Sequence, residues 1–177
     1  MFAGNGTGIG NNDEIHVSNR NATSGSGDYY LITNNFFRDP IAWYHIVLQY
    51  DTTQSTASDR IKLYVNGSQA SFSSASYPSQ NYDSTAFLAG TAAAHNIGYG
   101  FATGSANYFG GYLAEIHFLD GYAYDASTFG ETDSTSGIWK PKTTPSGVSY
   151  GTNGFFLKFE NSGAMGTDSS GQSNTFT

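Results

Sequence analysis

The stretch DPIAWYHIVLQYDTTQSTASDRIKLYVNG, residues 39–67, decides the fold class of this chain. From Trp43 to Tyr50 alternate residues share a face, with Tyr44, Ile46, Leu48 and Tyr50 on one side and Trp43, His45, Val47 and Gln49 on the other. Ile61, Leu63 and Val65 alternate in the same way with Lys62, Tyr64 and Asn66. A repeat of two is that of a half-buried β-strand, because successive side chains leave a strand on opposite faces. The segment between, from Thr52 to Arg60, is polar and reads as a loop. Asn66-Gly67 supplies the positive φ angles of a tight hairpin turn. The stretch therefore predicts strand, loop, strand and turn.

Outward from it, further strands are expected over Glu14–Asn19, Asp28–Asn34, Ala94–Gly98, Gly111–Asp120 and Gly154–Glu160, with turn-rich segments between them. In Gly154–Glu160, Phe155, Leu157 and Phe159 are expected inward and Phe156, Lys158 and Glu160 outward. In Gly111–Leu119 neither face is purely polar, which suits a central strand or a strand lining a groove. Asp125–Gly130 is the one expected short helix or turn, its Asp at the start and its Gly at the end. Many short strands with polar turns predict an antiparallel β-sandwich or barrel.

Composition agrees. Aromatics make up 16% of the chain and charged residues only 12%, and 22 glycines supply turns. That balance favours strands over helices. The net charge of −7, with only 7 Lys and Arg, argues against a nucleic-acid groove, which needs clustered cations, and against an anionic membrane surface. No apolar run is long enough to span a bilayer, so no membrane insertion is expected. With no cysteine, thiol catalysis and thiolate metal sites are excluded. No basic-then-apolar leader opens the chain. Sequons at Asn5, Asn21 and Asn66 are what chance produces in a chain rich in Asn, Ser and Thr.

Few residues suggest chemistry. His16, His45, His95 and His117 lie in separate strand candidates without ligand spacing, which favours histidines hydrogen-bonded to their neighbours over a metal site. Glu115, His117 and Asp120 form the only set that hints at catalysis. Paired carboxylates on one strand face serve glycoside hydrolysis, but an odd separation puts Glu115 and Asp120 on opposite faces of a regular strand. No catalytic residue is therefore assigned. Asp51, Asp59, Asp120 and Asp125 could bind Ca²⁺, although turn chemistry accounts for Asp equally well. The better signal is aromatic. Tyr99, Phe101, Tyr108 and Phe109 sit among Gly, Ala, Ser and Asn, and Trp139 is expected in a loop, GIWKPK. Sugar rings stack on aromatic faces, so Tyr99, Phe101, Tyr108 and Trp139 are the candidate glycan-binding residues, against the alternative that these rings plug the ends of a sandwich.

Several segments carry a resemblance. They are FRDPIAWYHIVLQYDTTQSTASDRIKLYVNG (37–67), YPSQN (77–81), HNIG (95–98), GGYLAEIHFLDGYAYDASTFGETDSTSGIWKPK (110–142), YGTNGFFLKFENS (150–162) and DSSGQSNTF (168–176). The chain resembles the concanavalin A-like, laminin-G-like superfamily, and more narrowly the lectin-like modules of marine bacteriophage virion proteins. The resemblance implies an all-β, antiparallel jelly-roll β-sandwich over residues 1–162, followed by a polar segment, 163–177, that could begin a further strand. It implies a non-enzymatic structural or adhesive module of a tail fibre, tail spike or head fibre, at a virion or extracellular location. Its implied partners are other virion subunits, host envelope polysaccharide and further copies of itself, a trimer among the options. Ca²⁺ is the cofactor that the wider superfamily brings with it. A laminarinase-type hydrolase and a secreted bacterial adhesion module are the alternative readings on the same fold. The family's upstream W-x-x-S-x-W signature is absent, and the chain starts at MFAGNGTG. The expectation is that N-terminal strands of the family's domain are missing.

Overall fold

The computed structural model describes residues 13–19, 29–83, 96–102 and 105–176. The chain forms two compact units, Met1–Phe109 and Gly110–Thr177. Among the described residues the first contains strands β1 (His16–Asn19), β2 (Tyr29–Thr33), β3 (Ile46–Tyr50), β4 (Ile61–Val65), β5 (Ser68–Gln69), β6 (Phe72–Ser76), β7 (Tyr99–Ala102) and β8 (Ser105–Tyr108). One sheet has the order β1-β2-β6 and another β3-β4-β5, while β7 and β8 form a hairpin. All of these pairings are antiparallel.

The two three-stranded sheets pack face to face. Ile15, Val17, Tyr29 and Leu31 from the first meet Ile61 and Leu63 from the second in one buried cluster. Ile46, Tyr50 and Val65 pack against its margin. Burial of each such side chain stabilises the fold by about 1.5–3 kcal/mol relative to exposure. The register Ile46↔Val65, Leu48↔Leu63 and Tyr50↔Ile61 puts the expected apolar faces of β3 and β4 together. Leu48 shares that face and is still 38% exposed. The antiparallel β-sandwich expected from the alternation is thus present in the first unit.

Two local features hold these sheets in register. The β2–β6 ladder shifts between Ile32 and Thr33. There the buried Thr33 hydroxyl accepts from the Ile15 amide at 3.0 Å and donates to the Asn35 carbonyl, so the polar atom lost to solvent is satisfied. At the other end, Asn66 (φ 49°) and Gly67 (φ 77°) form the expected tight turn, which joins β4 to β5. Strands β5 to β8 and the hairpin made by β7 and β8 were not expected from the sequence pattern. The expected strand over Ala94–Gly98 falls partly outside the described residues, and 96–98 are not extended strand.

The second unit is built on shorter elements. They are β9 (Ile116–Phe118), the single-turn helix α1 (Ala126–Phe129), β10 (Gly130–Thr132), β11 (Trp139–Pro141) and β12 (Phe155–Leu157). β9 pairs with β12 and β10 with β11, both antiparallel. Asp125 precedes α1 and Gly130 follows it, as expected, although the Asp125 side chain makes no capping hydrogen bond. The strand expected over Gly111–Asp120 shrinks to Ile116–Phe118, because Glu115 takes a left-handed backbone (φ 50°) that interrupts the extended chain. The expected outward position of Phe156 is wrong. Phe156 is buried, its ring 3.9 Å from that of His117 and inclined by 15°. Both faces of β12 carry apolar cargo here, since Phe155 stacks on Phe118. Within 163–177, Asp168 makes one antiparallel bridge to Leu157.

Candidate carbohydrate-binding surface

Three of the four aromatic candidates come together on one hairpin. Tyr99 and Tyr108 are register partners across β7 and β8, and Phe101 is the partner of Ala106. The Tyr99 and Tyr108 rings lie 5.3 Å apart with planes inclined by 46°. Tyr108 is 78% exposed and the adjacent Phe109 is also exposed. The Phe109 amide donates to the Gly98 carbonyl at 2.8 Å and closes the base of the hairpin. Two tyrosines side by side, one almost wholly in water, offer an amphipathic platform. Their ring faces can stack on the C–H face of a pyranose and their hydroxyls can hydrogen-bond its substituents.

Trp139 belongs to the second unit. It lies in strand β11, so the expected loop placement is corrected, and its indole is half-buried across the strand pair. A Cβ added at Gly130 would fall 2.5 Å from the Trp139 ring, which shows how closely the indole lies on that backbone. Glycine at 130 is the condition for that packing. Trp139 thus serves the β10–β11 pair with part of its surface.

The acidic candidates are engaged locally. Asp51 accepts from the Thr53 amide and hydroxyl and from Gln54 Nε2, and these bonds hold its carboxyl below the ordinary range. Asp59 pairs with Lys62 at 3.1 Å. Asp120 accepts from the backbone and side-chain nitrogens of Asn153, in a turn where Gly121 has φ 82°. Asp125 is the residue before α1. Among the described residues no group of three His, Asp or Glu side chains is placed to hold a metal ion. His16 lies 3.6 Å from Glu14, an ion pair only when the imidazole is protonated. His45 sits just before β3, where burial pushes its imidazole pKa down. His117 Nδ1 contacts the Tyr150 hydroxyl at 2.7 Å. His95 lies outside the described residues.

The sequence pattern did not single out other exposed apolar side chains. In the first unit Ile41 and Trp43 stand in solvent, Trp43 at 65%. In the second, Tyr122 is half exposed and stacks on Tyr124 with ring planes inclined by 17°. The alternation Gly121-Tyr122-Ala123-Tyr124 was the available signal for that stack. Among the described residues no helix is long and apolar enough to cross a membrane.

A laminin G-type family model, described as the concanavalin A-like lectin/glucanases superfamily, matches residues 2–127. No curated protein and no solved structure gives a match.

Proposed function

The chain belongs to the concanavalin A-like lectin/glucanases superfamily, and from that premise we propose that it is a non-enzymatic adhesive module that binds carbohydrate on a host surface. The observation that carries the reading is the Tyr99–Tyr108 ring pair on the β7–β8 hairpin, in which Tyr99 is half-buried and Tyr108 exposed. Tyrosines that served only to plug a sandwich would be buried, whereas Tyr108 is in water. The non-enzymatic part is supported by the arrangement around Asp120, whose carboxylate is committed to Asn153, and by the left-handed backbone at Glu115.

The ordered run G-Y-L-A-E-I-H-F-L-D-G followed by F-G-E-T-D, G-I-W-K-P-K and Y-G-T-N-G-F supports a place in a bacteriophage virion fibre or spike. In that setting further copies of the chain and other virion subunits are its partners. The test is a glycan array probed with the wild-type chain, Tyr108→Ala and Trp139→Ala. Wild-type binding to a defined set of glycans, lost in Tyr108→Ala with the fold intact by circular dichroism, is the expected result. Binding that survives Tyr108→Ala unchanged removes the hairpin from the proposal.

A further inference from the structure

The stretch that carries the platform holds no charge. From Ser84 to Ala114 there is no Asp, Glu, Lys or Arg. A carboxylated or sulfated sugar docked on Tyr99 and Tyr108 would find no counter-charge within that stretch.

Nor do the cations among the described residues stand ready. Of the 7 Lys and Arg side chains, all but Arg20 lie among the described residues. Each of these has a partner within its own unit. In the first unit Arg38 pairs with Asp13 at 2.7 Å and stacks over Phe36. Arg60 donates to the carbonyls of Gln54, Ser55 and Pro78. Lys62 pairs with Asp59. In the second unit Lys140 pairs with Asp133 and Glu131, Lys142 donates to the Ser127 carbonyl, and Lys158 pairs with Glu160. An anionic ligand would have to share these cations with the carboxylates and carbonyls that already engage them. It would also approach a chain of net charge −7, which repels it at long range. Stripping water from an anion without pairing it is costly. Stacking and hydroxyl hydrogen bonding carry no such cost.

We infer that the Tyr99–Tyr108 platform selects uncharged polysaccharide, with neutral hexopyranose rings as its ligand, and rejects uronic-acid and sulfated glycans. The inference rests on the stacking role proposed above for this hairpin. It makes binding insensitive to ionic strength, since no charge pair is screened.

The experiment uses the full chain in affinity electrophoresis and calorimetry against matched probes. These are a β-1,3-glucan, a mannan and a dextran, each neutral and sulfated, together with alginate. Salt is varied from about 20 to about 500 mM, a range over which exposed charge pairs lose most of their strength. At least one neutral polymer is expected to bind. Its affinity should change less than twofold across the salt range and fall at least tenfold in Tyr108→Ala. The sulfated polymers and alginate should not bind. Acidic polymers that bind more weakly as salt rises, through a site still abolished by Tyr108→Ala, overturn the neutrality rule and leave the platform standing. Binding indifferent to Tyr108→Ala, or no binding to any probe, overturns both.

Discussion

His117 Nδ1 lies 2.7 Å from the hydroxyl oxygen of Tyr150, and the same imidazole lies against the Phe156 ring. Phe129 approaches it from a third side at 5.2 Å. A polar ring at the centre of an aromatic group is tolerable because its nitrogen is bonded, so the hydrogen bond and the packing depend on one another. A half-buried histidine thus sits among the aromatic rings of the second unit, at a position that the sequence offered as a strand residue and as a member of the Glu115–His117–Asp120 set.

Tyr150→Phe should keep the packing and lose the bond, at a cost of about 0.5–1.5 kcal/mol. His117→Ala should cost more, since it also opens a void beside Phe156 and Phe129. Urea denaturation of the three proteins checks the order. Equal stability of wild type and His117→Ala would remove His117 from the core.

Arg60 ties the polar loop after β3 to the segment that follows β6. Its guanidinium donates to the carbonyls of Gln54 and Ser55 and, at 2.8 Å, to that of Pro78. Thr52 and Thr53 add bonds to 80–82. Arg60→Ala should cost about 1.5–3 kcal/mol, the scale for hydrogen bonds to a charged group, and should raise amide exchange across 52–56. Arg60→Lys should recover little, because an ammonium cannot reach three carbonyls in the planar fork that guanidinium provides. Full rescue by lysine would show that charge alone acts there.

Asn66 has two separable duties. It adopts positive φ in the turn, and its Oδ1 accepts from the His45 amide at 2.8 Å while its own amide donates to the His45 carbonyl. Asn66→Gly keeps the turn and loses the side-chain bond, so a loss of about 0.5–1.5 kcal/mol is expected. Asn66→Ala should lose about 1 kcal/mol more through left-handed strain. Thermal melts of the pair separate the two effects, and identical melting temperatures for the two variants would show that left-handed strain at this position costs nothing.

Asp168 gathers the C-terminal segment. Burial raises its carboxyl pKa, but bonds from the Phe156, Ser170 and Asn174 amides and the Ser170 hydroxyl outweigh that and leave it lowered. A carboxyl lowered on folding contributes stability above its unfolded value, about 3.9, and loses it as pH falls through the folded value. The bridge to Leu157 should therefore loosen only below about pH 4. Asp168→Asn should flatten that acid dependence, read by amide exchange at Phe156 and Asn174. Asp133 follows the same sign in the β10–β11 turn, where bonds from Ser136, Lys140 and Thr135 lower it.

Gly130→Ala should displace the Trp139 indole, because its Cβ would overlap the ring. A cost of about 1–3 kcal/mol is the scale for such overpacking. Tryptophan fluorescence should shift to the red as the indole gains water. An unshifted spectrum at wild-type stability would mean that the ring has another resting place.

Sequence reading recovered the parts of the fold that are local. β4 sits where the alternation put it, β3 takes up the Ile46–Tyr50 part of the alternation that began at Trp43, and α1 lies between Asp125 and Gly130. It failed at Phe156, because alternation assumes one wet face and His117 covers the second. It failed at 111–115, because a single left-handed residue, Glu115, ends a pattern that reads as extended. It named Tyr99 and Tyr108 from their surroundings of small polar residues but had no means of pairing them across a hairpin.

By itself, the sequence determined an antiparallel β protein with a tight Asn66-Gly67 turn, a charge-poor stretch from Ser84 to Ala114 and no thiol chemistry. These follow from period, backbone preference and composition, which are properties of neighbours along the chain. Tertiary structure alone decided that Tyr108 stands in water, that Trp139 leans on Gly130, and that Arg60 spends its charge on carbonyls from two separate segments. Exposure and partnership depend on what a distant segment covers, and no local pattern encodes that.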